Sequence, residues 1–218
     1  MTILDLTALE SAVVEHDPYD YIIVPAFVKP DALPLVNRDF PEIKGAGNQS
    51  LDRLRYGPAF QQFLDELSSA DVARRLAGKF GLDLVDAPTT TTVRARSELS
   101  DGDIHTDHWS KLVTAVLYFN EDWRHDGGKL RVLRSADDIE DYAAEIPPVA
   151  GTMFVFKRGE RSFHGHKRHV GERRMVQISW VRSDVTAQTV QKLDRLSTRV
   201  MKSLTRPVER LVGRQHDR

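Results

Sequence analysis

Residues 104–120 read IHTDHWSKLVTAVLYFN: the triplet His105-Thr106-Asp107, then an unbroken run from Leu112 to Phe119 rich in β-branched and aromatic side chains. Such a run predicts a strand. In an extended segment residues i and i+2 project to the same side, so His105 and Asp107 can reach one metal ion together. The triplet alone is a weak signal, because eight histidines in 218 residues meet an aspartate two positions on by chance. Its surroundings give it weight.

Downstream, Gly127-Gly128 marks a turn before a strand from Lys129 to Leu133. A further strand covers Thr152 to Phe156, Phe163-His164 follows, and Met175 to Val181 closes the series. Short strands separated by turn signals suggest an antiparallel sandwich or barrel. There, His164 can come to the mouth where His105 and Asp107 sit. Two imidazoles and one carboxylate hold one face of an Fe(II) octahedron and leave positions open for oxygen chemistry. A basic residue on the strand after the second histidine could anchor the carboxylate of an organic co-substrate.

Upstream, Asp5 caps a predicted helix over Leu6 to Glu15, Tyr19 to Phe27 reads as a strand, and Pro30-Asp31 starts a short helix. A Gly- and Asn-containing loop runs from Lys44 to Ser50. Helical periodicity covers Pro58 to Leu67 and Ala70 to Phe80, and β character returns over Leu82 to Val85 and Thr89 to Arg96. The acidic stretch Ser135 to Glu145 reads as a solvated helical insertion between strands. Residues 183–218 hold eight Lys or Arg against four acidic residues, with Val190, Leu193, Leu196, Val200 and Leu204 as an apolar stripe at helical spacing.

Composition removes several classes. A net charge of −1 gives no global field favouring nucleic acid or membranes. Without cysteine there is no disulfide framework, thiolate metal site or Cys nucleophile. Met1 to Asp5 lacks the basic and apolar regions of a signal peptide, and no apolar run approaches a membrane span. The expected setting is the cytoplasm, whose reducing conditions suit Fe(II).

From His105 to Val181 the chain resembles the Fe(II)- and 2-oxoglutarate-dependent dioxygenases, in particular their prolyl-hydroxylase-like branch. The family pattern runs His-x-Asp, a strand with Thr-x-x-x-Tyr-x-Asn, Gly-Gly-x-Leu, Gly-x-x-x-x-Phe, a distal His, and Gly-x-Arg before a last strand. This chain has Thr114, Tyr118 and Asn120, then Gly127-Gly128-Lys129-Leu130, Gly151 with Phe156, His164, and Gly171-Glu172-Arg173-Arg174. The resemblance implies Fe(II), 2-oxoglutarate as co-substrate and O2, with release of succinate and CO2 as an unactivated C–H bond of an amino acid, peptidyl residue or small metabolite is hydroxylated. It implies His105, Asp107 and His164 as the metal ligands and catalytic set. It also implies a cofactor pocket in which a basic residue, with the Thr114 and Tyr118 hydroxyls, holds the distal carboxylate, while Val116, Leu130 and Trp180 exclude water.

Two choices lie inside the match. Of His164, His166 and His169, we take His164, which follows Phe163 and precedes Arg174 by ten positions; His166 is second. Of the two arginines, a literal Gly-x-Arg count lands on Arg173. Strand parity groups Arg174 with Val176, Ile178 and Trp180, and the family's anchor stands six before an aromatic, so Arg174 is the expected anchor and Arg173 faces outward. Arg94, His108, Trp109, Trp123 and Arg161 are candidates for the entrance.

The expected fold is mainly β with flanking helices around a double-stranded β-helix (jelly-roll, cupin-like) core. Residues 1–85 form an N-terminal helical/β extension packed on the core, 86–183 the oxygenase core, and 184–218 a basic helical tail. Expected partners are a small-molecule or peptidyl substrate, with no nucleic acid and no membrane span; a homo-oligomer stays open. The rival reading is a non-catalytic jelly-roll or cupin-like binding module, and a Zn-dependent hydrolase is a third. Neither needs the arginine beside the triad.

Overall fold

In the computed structural model, which describes residues 2–183, alternate side chains of the Leu112–Phe119 run enter two separate cores. Val113, Ala115, Leu117 and Phe119 join a large core shared with the helices, whereas Val116 and Tyr118 join a smaller one between two sheets. The period of two in a strand is what sorts them. The expected basic tail over 184–218 lies outside the described residues.

The strands in chain order are β1 (Tyr21–Val24), β2 (Gln49–Ser50), β3 (Thr89–Ser97), β4 (Lys111–Tyr118), β5 (Leu130–Leu133), β6 (Tyr142–Ile146), β7 (Met153–Lys157), β8 (His164–Gly165) and β9 (Gly171–Val181). One sheet has the order β1-β7-β4-β9-β3-β2 and the other β6-β5-β8, and all pairings are antiparallel. The protein is thus mainly β with a few helices. On the inner face of the large sheet Thr114 stands opposite Ser179, Val116 opposite Gln177 and Tyr118 opposite Met175. On its outer face Val113 meets Trp180, Ala115 meets Ile178 and Leu117 meets Val176.

Four helices cover the outer face: α1 (Leu6–Ser11), α2 (Leu33–Arg38), α3 (Pro58–Leu67) and α4 (Ala70–Phe80). The bounds of α3 and α4 are those their periodicity predicts. Pro58 starts α3 where a missing N–H costs nothing. The Ser69 hydroxyl accepts from the Val72 amide at the start of α4, and Gly81, at φ 63°, ends it in the left-handed region. Asp5 caps α1 by accepting from the Thr7 and Ala8 amides at 3.0 Å, but the helix stops at Ser11, because Glu15 is drawn into a bridge with Tyr21.

Two expectations need correction. Leu82 to Val85 forms no strand; Leu84 instead plugs the helix-side core from a loop. The acidic segment from Ser135 forms no helix either. Its end is β6, where Glu145 stands opposite the buried Arg131 and accepts from it at 2.8 Å, while Glu140 pairs with the same guanidinium at 3.0 Å. Burying the Arg131 guanidinium unpaired would be costly, and its pairing with these two carboxylates draws the segment into the sheet. No helix among the described residues is long and apolar enough to cross a membrane.

Phe119 packs on Phe40, Phe60 and Phe63 with ring centroids 5.2–6.4 Å apart, on the face away from the inter-sheet space. Phe119→Ala is expected to cost ~3–5 kcal/mol of stability in urea unfolding. The protein that remains folded should bind metal as the wild type does.

Candidate metal centre and its cavity

The first structural fact of the site is a backbone bridge. His105 N–H donates to the His164 carbonyl and His164 N–H donates to the His105 carbonyl, both at 3.0 Å. This mutual pairing sets the two imidazoles side by side, with ring centroids 4.4 Å apart. Asp107, two residues on, projects the same way. One ligand atom from each of His105, Asp107 and His164 lies within 4.8 Å of the others.

The imidazoles are also set in one tautomer. His105 Nδ1 lies 2.8 Å from the Asp103 carbonyl and His164 Nδ1 lies 3.0 Å from the Ser162 carbonyl. A carbonyl can only accept, so each neutral ring carries its proton on Nδ1 and leaves the Nε2 lone pair for a metal. Burial foremost, with the cost of placing a positive charge beside a second imidazole, lowers the His164 pKa to about 4, which keeps that lone pair free at neutral pH. The donor set fits Fe(II).

Asp107 is held as a carboxylate. Burial alone would raise its pKa, but Lys111 foremost, then His164, the Thr114 hydroxyl and His105, hold it well below the usual carboxylate range. Lys111 Nζ donates to Oδ1 at 3.1 Å and Thr114 Oγ1 donates to Oδ2 at 2.5 Å. Lys111 reaches this position through a register shift between Lys111 and Val113. The shift reverses the strand's alternation, so Lys111 lines the cavity although Val113 faces the helices.

The triad opens into a cavity of about 520 Å³, within the range of small-molecule sites. Thr114, Val116, Leu130, Phe156, Arg173, Met175 and Gln177 form much of its wall. Arg173 is 2% exposed. Its Nε donates to the Gly128 carbonyl at 2.8 Å and its Nη1 to the Met175 sulfur, and among the described residues no carboxylate pairs with it. Burial, reinforced by the nearby charge of Arg94, pulls its pKa below the ordinary value. The Tyr118 ring centroid is 5.4 Å from Arg173 Cζ, and among the described residues the buried Tyr118 hydroxyl finds no acceptor for its proton. A buried cation and a hydroxyl proton without an acceptor together make a receptor for a carboxylate.

The parity argument grouped the arginines as the structure does but assigned the faces wrongly. Arg174, with Val176, Ile178 and Trp180, faces the helices: its guanidinium lies 4.2 Å over Phe40 and donates to the Asn37 carbonyl. Arg174 and Trp180 therefore lie off the cavity, and Arg173 is buried in it rather than solvated outside. The large indole of Trp180 fills the helix-side core, so it marks the outer face. Thr114 lines the cavity as expected but has a different role. Its one hydroxyl proton goes to Asp107, so it cannot donate to a distant carboxylate.

Among the other histidines, His166 lines the cavity but is not part of the three-residue cluster; burial, with the charge of Arg173, lowers its pKa to about 3. His169 packs on Trp123 and His125 outside the cavity. Arg94, His108 and Trp109 line the cavity as expected; Trp123 and Arg161 do not. Lys111, Arg158, Met175 and Gln177 also line the cavity, and no motif in the sequence singles them out. Only the Gly-x-Arg count pointed to Arg173.

Comparison with known proteins agrees with this geometry. Residues 95–182 match the family model of the 2OG-Fe(II) oxygenase superfamily. No curated protein matches the sequence. Among solved structures, a Pseudomonas putida prolyl-4-hydroxylase aligns at TM-score 0.54 and 21% identity, over 75% of this chain and 85% of that one. A prolyl 4-hydroxylase from Phytophthora capsici aligns at TM-score 0.57 and 14% identity, over 90% and 75%. A Trichoplax adhaerens prolyl hydroxylase, solved with a hypoxia inducible factor peptide fragment, aligns at TM-score 0.52 and 15% identity, over 74% and 83%. At these identities the structural likeness is one of fold. The family match over 95–182 accords with the resemblance read from His105 to Val181.

One Fe(II) per chain is the expected stoichiometry by anaerobic titration. Asp107→Ala or His164→Ala should weaken it by more than about a hundred-fold, since even outer partners of metal ligands matter ten- to a hundred-fold. His166→Ala should not. Acid should also weaken the metal-free fold. His164 and His166 stay neutral in the fold down to about 4 and about 3, against 6.5 when unfolded, so the unfolded chain binds more protons below that value. Stability therefore falls as pH is lowered from 6.5 towards 4. Denaturant midpoints at pH 7 and pH 5 should show this, and His166→Gln should make the fall shallower.

Proposed function

We propose that this chain is an Fe(II)- and 2-oxoglutarate-dependent oxygenase of the superfamily its residues 95–182 match. The observation that carries the reading is the buried Arg173, without a carboxylate partner among the described residues, in the same cavity wall as the His105–Asp107–His164 cluster. Leaving a guanidinium buried and unpaired is costly, and a diacid bound across the cavity would remove that cost. The two sheets are then the major and minor sheets of a double-stranded β-helix spanning 86–183. The extension 1–85 lends β1 and β2 to the two edges of the larger sheet. A cytoplasmic setting suits Fe(II).

His105, Asp107 and His164 are the residues that would hold iron. Bound iron and 2-oxoglutarate supply the oxidising chemistry: O2 is consumed, succinate and CO2 are released, and an oxygen atom enters a C–H bond of the substrate. Arg173 pairs with the distal carboxylate of 2-oxoglutarate through its fork, and the Tyr118 hydroxyl donates to the same carboxylate. Val116, Leu130, Phe156 and Met175 keep water from that end. Thr114 and Lys111 hold Asp107 ionised and oriented for the metal. The outcome we favour is hydroxylation of an amino acid, peptidyl residue or small metabolite.

Anaerobic calorimetry on Fe(II)-loaded protein should detect 2-oxoglutarate binding, and admission of O2 should yield succinate. Arg173→Ala should weaken binding by ~2–5 kcal/mol, as expected for a buried charge stripped of its partner, and Arg174→Ala should change it little. A well-folded, iron-loaded protein that binds no 2-oxoglutarate would end the oxygenase reading. Reversed effects of the two arginines would overturn the assignment of the anchor.

A further inference from the structure

The cavity holds a second cation whose charge the site described so far does not use. Arg158 follows β7, with its amide donating to the Leu112 carbonyl at the start of β4. Its Nε donates to the backbone carbonyl of Asp107 at 3.2 Å, so the guanidinium lies beside a ligand of the metal cluster. It lines the cavity, and among the described residues no carboxylate pairs with it. The other cavity cations are committed: Lys111 to Asp107 at 3.1 Å, Arg94 to Asp101 at 3.1 Å, and Arg173 to the co-substrate.

Two neighbours complete the surroundings. The Ser110 amide donates to His108 Nδ1 at 3.3 Å and the Ser110 hydroxyl, 2.8 Å from the same nitrogen, can donate to it too, an arrangement that leaves the ring proton on Nε2 as a donor. Trp109 lines the same cavity, is 52% exposed, and stands with its ring 5.4 Å from that of His108. An indole left in water at a cavity mouth is a surface that gains from being covered.

We infer that this cavity takes as substrate an organic acid with an apolar or planar body, its carboxylate held by Arg158 with His108, and its body laid on Trp109. The inference rests on the oxygenase reading and adds the substrate class to it. One guanidinium fork matches one planar carboxylate bidentately and neutralises its single charge. A phosphate monoester would bring up to two charges to a place with one uncommitted cation. The contact between Arg158 and Asp107 puts the bound carboxylate near the metal cluster. The C–H bond presented for oxidation is then only a few bonds from that carboxylate.

The test uses a matched pair of probes, 3-phenylpropionate and 3-phenylpropanamide, titrated into Fe(II)-loaded protein without O2 and with saturating 2-oxoglutarate, so that the Arg173 end is already filled. Wild type should bind the carboxylate roughly ten-fold or more tighter than the amide, the effect expected of a charged hydrogen bond. Arg158→Gln should reduce that preference to within about two-fold, and Arg158→Lys should keep part of it. Binding of 2-oxoglutarate itself should be the same in all three proteins. If Arg158 only braces Asp107, its loss would weaken metal and co-substrate while sparing the preference between probes. That result, or no preference in the wild type, overturns the inference and leaves the oxygenase reading intact. Loss of 2-oxoglutarate binding in Arg158→Gln would make Arg158 part of the co-substrate site and overturn the inference too. Absence of 2-oxoglutarate binding in wild type would sink both.

Discussion

The two hydrogen bonds exchanged between the backbones of His105 and His164 are the constraint on which the rest of the site depends. They join a segment before β4 to one that pairs with β5, and so tie the two sheets at one end. Directly opposed residues of an antiparallel bridge stand about 5.5 Å apart at Cα when both bonds are made. Two imidazoles so placed converge on one point without any long-range adjustment of the fold. The carbonyls of Asp103 and Ser162 then choose which nitrogen is free, and the i+2 rule adds Asp107. Ligand direction, tautomer and spacing thus come from the main chain, which varies less than side-chain packing does.

The large sheet separates two tasks by parity. Its outer face is apolar and is held by the helices through Trp180, Phe119 and their neighbours. Its inner face carries the polar groups that an isolated core would not tolerate: Thr114, Ser179, Gln177 and Arg173. The energetic cost of those groups falls on a surface already stiffened from behind. That arrangement lets a site keep a buried charge in reserve for a ligand.

Much of this was legible in the sequence. Thr89 to Arg96, the apolar run and the last strand fold as their composition indicates, and α3 and α4 have the predicted bounds. Capping chemistry and period are local, and nothing distant overrides them there. What was not legible depends on partners far along the chain. The segment at Tyr142 is a strand because Arg131 needs Glu145, a contact that no helical periodicity can reveal. The spacing to an aromatic favours Arg174 over Arg173 only if that aromatic marks the cavity. Trp180 marks the opposite face, and only packing against the helices decides that. The position of Lys111 follows from a register shift that the sequence does not announce.

The strand order has a consequence for how the molecule comes into being on the ribosome. β4 is flanked by β7 and β9, and among the described strands β1 joins the sheet only through β7. During synthesis from the N-terminus, residues 21–24 therefore wait for more than a hundred further residues before their neighbour exists. The second histidine emerges later still. Sheets dominated by such distant pairings fold slowly, and their unpaired edges are exposed meanwhile. A nascent chain holding only His105 and Asp107 would lack the third member of the cluster, so a metal held by all three could be captured only after His164 has emerged. The order of the genetic text would then guard against half-built chains that hold a metal loosely.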